Sequence, residues 1–283
     1  MPEGSYAFQV GSVYCTVLTD GYCAYPTPWF FPNADPAELA KAFDRRRLPH
    51  NEVLSPYTCL LIESGRQVAL VDTGGGAALR TSGAIVARLE MAGLRPRDID
   101  TVILTHAHPD HIAGAVDARG RPVFFNARHV ILEREVEFWT NAHPDVSTLR
   151  VPPETQVWIA RAARTSLSAL KFQIETTDKE TEVIPGVRVI PAPGHTPGHL
   201  ALLIASGGEA MLNLGDAAVH PLHLEYPELE NGFDLCPITA TATRKELLER
   251  AVAENMRVMA FHFPLPSVGH VSSRAGGGFD WTP

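Results

Sequence analysis

The 283-residue chain is predicted to adopt an α/β fold, one domain with helices packed outside paired sheets. Three observations lead there. Apolar β-branched segments and amphipathic segments succeed one another as strands, helices, more strands, a helix and a last strand. No internal repeat or low-complexity linker divides the sequence, so residues 1–283 are expected to form a single domain. An apolar fraction of 45% is ample for a sizeable core at this length.

The elements follow in order. Strands are expected at Val13–Thr19, Tyr57–Ile62 and Val68–Asp72, the last two joined as a hairpin through Glu63-Ser64-Gly65-Arg66. A Pro-rich stretch, Tyr25–Pro36, and a short helical pattern, Ala37–Phe43, lie between the first two. Ile85, Val86, Leu89 and Ala92 share one face of a helix expected over Ser82–Ala92, closed by Gly93. The run Thr101-Val102-Ile103-Leu104 reads as a buried strand, followed by a strand at Val123-Phe124-Phe125 and helices at Glu133–Trp139 and Gln156–Leu170. Strands at Val187–Pro191, Leu200–Ala205 and Ala210–Leu214, a helix over Thr239–Glu254 and a strand at Arg257–Phe261 complete the pattern.

Composition excludes several classes of partner. Twenty-four basic against 32 acidic residues leave a formal charge of −8, which disfavours nucleic acid, since phosphate binding wants a basic face. No apolar run approaches the roughly 18 residues of a membrane span. Met1-Pro2-Glu3-Gly4-Ser5 lacks the basic start and apolar region of a secretory signal. Cys15, Cys23, Cys59 and Cys236 are scattered, with no C-x-x-C pair, and are expected to be reduced thiols of a cytoplasmic protein.

The densest chemical signal is Thr105-His106-Ala107-His108-Pro109-Asp110-His111, three imidazoles and a carboxylate directly after an apolar strand. Such packing makes a poor core and an expensive surface, whereas zinc-type dications bind neutral imidazole nitrogen and carboxylate oxygen. Three further residues stand just past apolar strands, where loops converge on one edge of the sheets. His195 lies in Pro193-Gly194-His195-Thr196-Pro197-Gly198-His199, Asp216 follows Met211–Leu214, and His262 follows Val258–Phe261.

Taken together, His106-x-His108-x-Asp110-His111, His195, Asp216 and His262 resemble the full dinuclear ligand set of the metallo-β-lactamase superfamily. The likeness covers nearly the whole chain, including Leu70-Val71-Asp72-Thr73-Gly74 and Gly114. Asp20-Gly21, Glu137-Phe138-Trp139, Gly215-Asp216, His262-Phe263-Pro264 and Gly269-His270-Val271 resemble the branch holding methyl parathion hydrolase and N-acyl-homoserine lactonases. The resemblance implies a four-layer αββα sandwich with two divalent metal ions at one edge. His106, His108 and His195 would hold one ion, Asp110, His111 and His262 the other, and Asp216 would bridge them. Many true β-lactamases carry a Cys ligand where this chain has Asp216, so antibiotic hydrolysis is not expected. Zinc is the expected metal, although manganese, iron and cobalt suit the same donors.

The implied activity is hydrolysis of a small lactone or ester by a hydroxide bridging two ions about 3.5–4 Å apart. Phosphotriester hydrolysis is the alternative on the same scaffold, and an iron-dependent oxidoreductase is a further one. Asp110 or Asp216 would pass a proton to the leaving group. Asp72 is expected either to orient a ligand imidazole or to cap its turn. Trp139, with core packing as its alternative, and His220 and His223, which otherwise read as loop-surface residues, are candidates for substrate contact; His199 and His270 read as structural histidines, His270 in a turn near the site. Trp29-Phe30-Phe31 reads as a lid, a dimer contact or ordinary packing. The branch also implies a homodimer acting on a small molecule.

Overall fold

The computed structural model describes residues 4–283. One sheet runs, in spatial order, β1 (Ser5–Val10), β2 (Val13–Pro26), β3 (Glu52–Ser64), β4 (Gln67–Val71), β5 (Thr101–Ile103), β6 (Arg128–Leu132) and β7 (Ile174–Thr177). The other holds β8 (Thr181–Ile184), β9 (Val187–Pro191), β10 (Leu200–Ser206), β11 (Glu209–Asn213), β12 (Arg257–Met259), β13 (Val268–Ser273) and β14 (Phe279–Thr282), also as sequential neighbours. The pairs from β4 to β7 and the pair β11–β12 are parallel, and the rest are antiparallel. The helices are α1 (Thr27–Phe30), α2 (Pro36–Arg46), α3 (Ile85–Met91), α4 (Pro109–Ile112), α5 (Glu133–Thr140), α6 (Pro153–Leu170), α7 (Leu222–Glu225) and α8 (Pro237–Ala253).

The two-residue period of a strand sorts alternate side chains into different layers. Val13, Cys15, Val17, Leu60, Ile62, Ala69, Val71 and Ile103 face the second sheet, where Leu200, Leu202, Ile204, Met211 and Met259 meet them. Their sequence neighbours Cys59, Leu61, Leu70 and Val102 point outward, against Ile85 and Leu89 of α3, Trp139 of α5 and Ile159 and Leu167 of α6. On the far side Ala201, Leu212 and Val258 pack under Leu247, Leu248 and Ala251 of α8. Helix, sheet, sheet, helix is thus the observed layering, as expected of the sandwich.

Local differences from the sequence reading have physical causes. The strand expected at Val123-Phe124-Phe125 is a turn region; Phe124 plugs the core while Phe125 is exposed, and the strand is Arg128–Leu132. Its Arg and His obscured an otherwise apolar run. The strands β1, β7, β8, β13 and β14 carry too many polar residues to stand out by period. Trp29, Phe30 and Phe31 pack with Tyr25, Phe43 and Phe233 as an aromatic cluster. His270 sits exposed on β13, opposite Arg257 and Thr282, rather than at the site. No helix among the described residues is long and apolar enough to cross a membrane.

Candidate metal centre

The sequence-selected ligand residues arrive from strand ends and the loops beyond them, except Asp110 and His111, which stand on the single turn α4 that follows β5. After β4 the chain turns through Asp72 at a φ of 58°, a left-handed conformation that Asp tolerates better than most residues. This turn aims the Asp72 carboxylate at the first ligand loop. Its oxygens accept from the Thr105 N–H (2.8 Å), the Thr105 hydroxyl (2.8 Å) and His111 Nδ1 (2.8 Å). Asp72 thus contacts both the His111 imidazole and the start of the ligand loop at Thr105. Gly114 closes the same corner, because a Cβ there would lie 1.9 Å from the Thr73 carbonyl oxygen.

The second loop is fastened to the first by Glu135 on α5, buried without a cationic partner. Its Oε1 accepts from the Ala107 N–H (2.9 Å) and Trp139 Nε1 (2.7 Å), its Oε2 from the Thr196 hydroxyl (2.6 Å) and the Gly198 N–H (3.0 Å). Burial pushes this carboxyl above the ordinary range, while the four donors pull it back. Ala107 lies between His106 and His108, and Thr196 follows His195, so one carboxylate sets the spacing of three imidazoles.

Two further imidazoles are oriented through Nδ1. His195 Nδ1 pairs with Asp234 (2.8 Å), and His262 Nδ1 lies between Ser55 Oγ (2.8 Å) and the Pro56 carbonyl (3.0 Å). His199 also helps from outside the set: its Nδ1 donates to the Ala192 carbonyl (2.8 Å), leaving Nε2 to accept the Asp216 N–H (2.9 Å). His199 thus pins Asp216, consistent with its reading as structural.

The remaining atoms converge. Asp216 Oδ2 lies 3.1 Å from His262 Nε2, 3.3 Å from His195 Nε2 and 4.0 Å from His106 Nε2, and its Oδ1 lies 3.4 Å from His111 Nε2. Asp110 Oδ2 is 3.4 Å from His262 Nε2 and 3.8 Å from His111 Nε2. Three groups have donor atoms all within 4.8 Å of one another: His106, His108 and His195; His106, His111 and Asp216; Asp110, His111 and His262.

These residues fit a pair of divalent cations. His106 Nε2, His111 Nε2 and Asp216 Oδ1 are buried with no hydrogen-bond partner, an arrangement costing about 1–3 kcal/mol per atom unless something fills it. His108 Nδ1 and His195 Nε2 stand 3.0 Å apart. Two nitrogens sharing a tetrahedral zinc at about 2.0–2.1 Å would be separated by roughly 3.3 Å, close to that spacing. Burial and mutual repulsion hold His106 and His108 well below the ordinary imidazole range, so both are neutral and ready to coordinate. Around His111 burial opposes charge, but Asp216, Asp72 and Asp110 together outweigh it.

Above these atoms lies a cavity with apolar and aromatic walls, to which Tyr25, Phe30, Trp158, Ile159, Val219 and Phe233 contribute. None of the substrate candidates lines it. Trp139 is fully buried behind His108, ring centroids 5.6 Å apart, and does not line the cavity. His220 and His223 pack on Phe31, with centroids 5.4 and 5.0 Å away, and also stand outside it. Trp158, one turn into α6, supplies the wall assigned to Trp139. A larger groove of about 780 Å³ between α2, α8 and the β13–β14 hairpin contains none of the converging donors.

Asp234, Glu135 and Trp158 were missed in the sequence. Glu135 left a trace: it stands four residues before Trp139, on the same helical face, as an acid on a buried side. Asp234 left none, its partner being 39 positions away.

Residues 53–273 match the metallo-beta-lactamase superfamily, and the chain belongs to it. An N-acyl homoserine lactonase from a Bacillus species is 27% identical over 201 residues, 63% of this chain and 70% of that protein. Among solved structures, the dizinc quorum-quenching lactonase AidC, in complex with the product N-hexanoyl-L-homoserine, superposes with a TM-score of 0.93. It is 30% identical, covering 99% of this chain and 97% of that one. The hydrolase AbOPH of the beta lactamase superfamily is 26% identical at a TM-score of 0.88, covering 100% of this chain and 98% of that one.

Proposed function

We propose that the protein is a dinuclear metal-dependent hydrolase that opens a small lactone or ester, N-acyl-homoserine lactones first among them. The observation that carries the reading is the convergence of seven His and Asp donors, four of them with orphaned buried atoms, beneath an apolar cavity. His106, His108 and His195 would hold one ion and Asp110, His111 and His262 the other, with Asp216 available to both. The likeness to AidC over nearly all of both chains supports the lactone as substrate.

A bound pair of divalent ions, zinc first among the candidates, supplies a water of lowered pKa and a Lewis acid for the carbonyl. The protein's own side chains do the rest. Asp110, less buried than the other donors, lines the cavity and is placed to carry a proton to the departing alkoxide. Asp72 and Asp234 keep His111 and His195 in the tautomer that presents Nε2 inward. Tyr25, Phe30, Trp158 and Phe233 exclude water and accept an apolar substrate tail. The four unbridged cysteines fit a reducing, cytoplasmic setting, and the resemblance supports a homodimer, which light scattering tests.

Metal analysis combined with a lactone, ester and phosphotriester panel tests the proposal. Two zinc ions per chain with highest kcat/KM on acylated lactones is the expected result. Preference for an aryl phosphotriester would instead mean that the aromatic wall holds an aryl leaving group. Iron with thiol or oxygen chemistry would overturn the hydrolase reading.

A further inference from the structure

Asn231 is a polar side chain, 2% exposed, in the wall of the cavity that contains His108, Asp110, Asp216 and His262. Its orientation follows from its neighbours. Oδ1 accepts the Phe233 N–H at 3.3 Å, and turning the carboxamide over would set its NH2 group against that donor. Nδ2 therefore points away from the turn, where the cavity leaves it open to solvent. An amide with a fixed face and a donor open to the cavity can exchange a water for a carbonyl of the ligand.

The turn that presents this donor is itself tied to the metal centre. The Asn231 N–H donates to Asp234 Oδ2 (3.3 Å), the Asp234 N–H donates to the Asn231 carbonyl (2.9 Å), and Asp234 Oδ1 holds His195 (2.8 Å). Asn231 is thus registered against the ligand set rather than carried on a free loop. Its donor is neutral, so it matches an uncharged carbonyl oxygen.

We infer that Asn231 is a specificity-determining residue whose Nδ2 donates to a carbonyl of the substrate lying outside the ester bond that is cut. The inference rests on the lactonase reading and narrows it: preferred substrates are lactones bearing an amide or ketone arm, and plain alkyl lactones are poor ones. The Asn231 N–H and carbonyl serve the turn, so side-chain replacement leaves those backbone bonds available.

The test compares N-hexanoyl-homoserine lactone with an alkyl lactone of matched length that lacks the amide, using Asn231→Leu and Asn231→Asp. The second variant keeps an oxygen for the Phe233 N–H while removing the donor. Both should lose about 10- to 100-fold in kcat/KM on the amide-bearing lactone, mainly through KM, and stay within about twofold on the alkyl lactone. Metal content should be unchanged in both. Parallel losses on the two lactones, or no loss on either, would overturn the inference while leaving the lactonase reading intact. A wild-type enzyme inactive on both lactones would overturn the two together.

Discussion

His195 Nδ1 and the Asp234 carboxylate meet at 2.8 Å, both side chains buried, across 39 positions of sequence. The bond fixes the ring so that Nε2 faces Asp216 and His108. Asp72 does the same for His111 at 2.8 Å, so each half of the donor set is steadied by one carboxylate. Asp234→Asn should therefore weaken metal retention by about 10- to 100-fold, as should Asp72→Asn. Competition with a graded series of chelators, read by metal content, checks this. Unchanged affinity in both variants would mean that the rings are held by packing alone.

Glu135 predicts a stability effect distinct from metal binding. Four donors converge on its two oxygens, so the amide of Glu135→Gln would set its own N–H against two of them. The expected loss is about 1–3 kcal/mol in urea unfolding of the metal-free protein. Thr196→Val, removing one donor of the four, should cost less. Equal stability of parent and Glu135→Gln would show that the two ligand loops are not joined through this side chain.

How far the sequence discloses these arrangements depends on how local their causes are. His106, His108, Asp110 and His111 share one short loop, and His195, Asp216 and His262 each follow an apolar strand, so strand ends alone pointed to them. Asp234 and Asn231 take their roles from partners brought near by folding, and no spacing marks them. Trp139 and Trp158 show the same limit. Both lie on helices, but Trp139 turns its indole N–H to Glu135 while Trp158 reaches the cavity, a difference set by packing. The layers were legible from period; β1, β7, β8, β13 and β14 were not, since their polar residues hide the alternation.

Loss of the donors should abolish turnover and also expose their structural cost. His106→Ala and Asp216→Ala are each expected to remove metal-dependent hydrolysis. Chelation of the wild type should remove it reversibly and lower Tm, because the cations that satisfy His106, His111 and Asp216 are gone. Activity and differential scanning calorimetry before and after metal return measure both. Full turnover by either variant at full metal occupancy would sink the proposed centre.

His129 gives a prediction about acid that does not involve the metal centre. It lies on β6, fully buried, opposite Val102 and Ile174, with neither ring nitrogen hydrogen-bonded. Burial pushes its imidazole from 6.5 down to about 4. The folded state therefore favours the neutral ring, and protons favour the unfolded chain. Stability should be insensitive to this group above pH 6.5, fall as pH drops from 6.5 to about 4, and level off below. At 1.36 kcal/mol per unit the loss across that window is about 3 kcal/mol. His129→Leu fills the same apolar space without a titrating group and should keep that stability. His199 and His220, both pushed down to about 3 by burial, contribute equally to parent and variant. The difference between the two urea-unfolding curves from pH 7 to pH 4 thus isolates His129, and parallel acid losses would show that its ring is not held neutral by the fold.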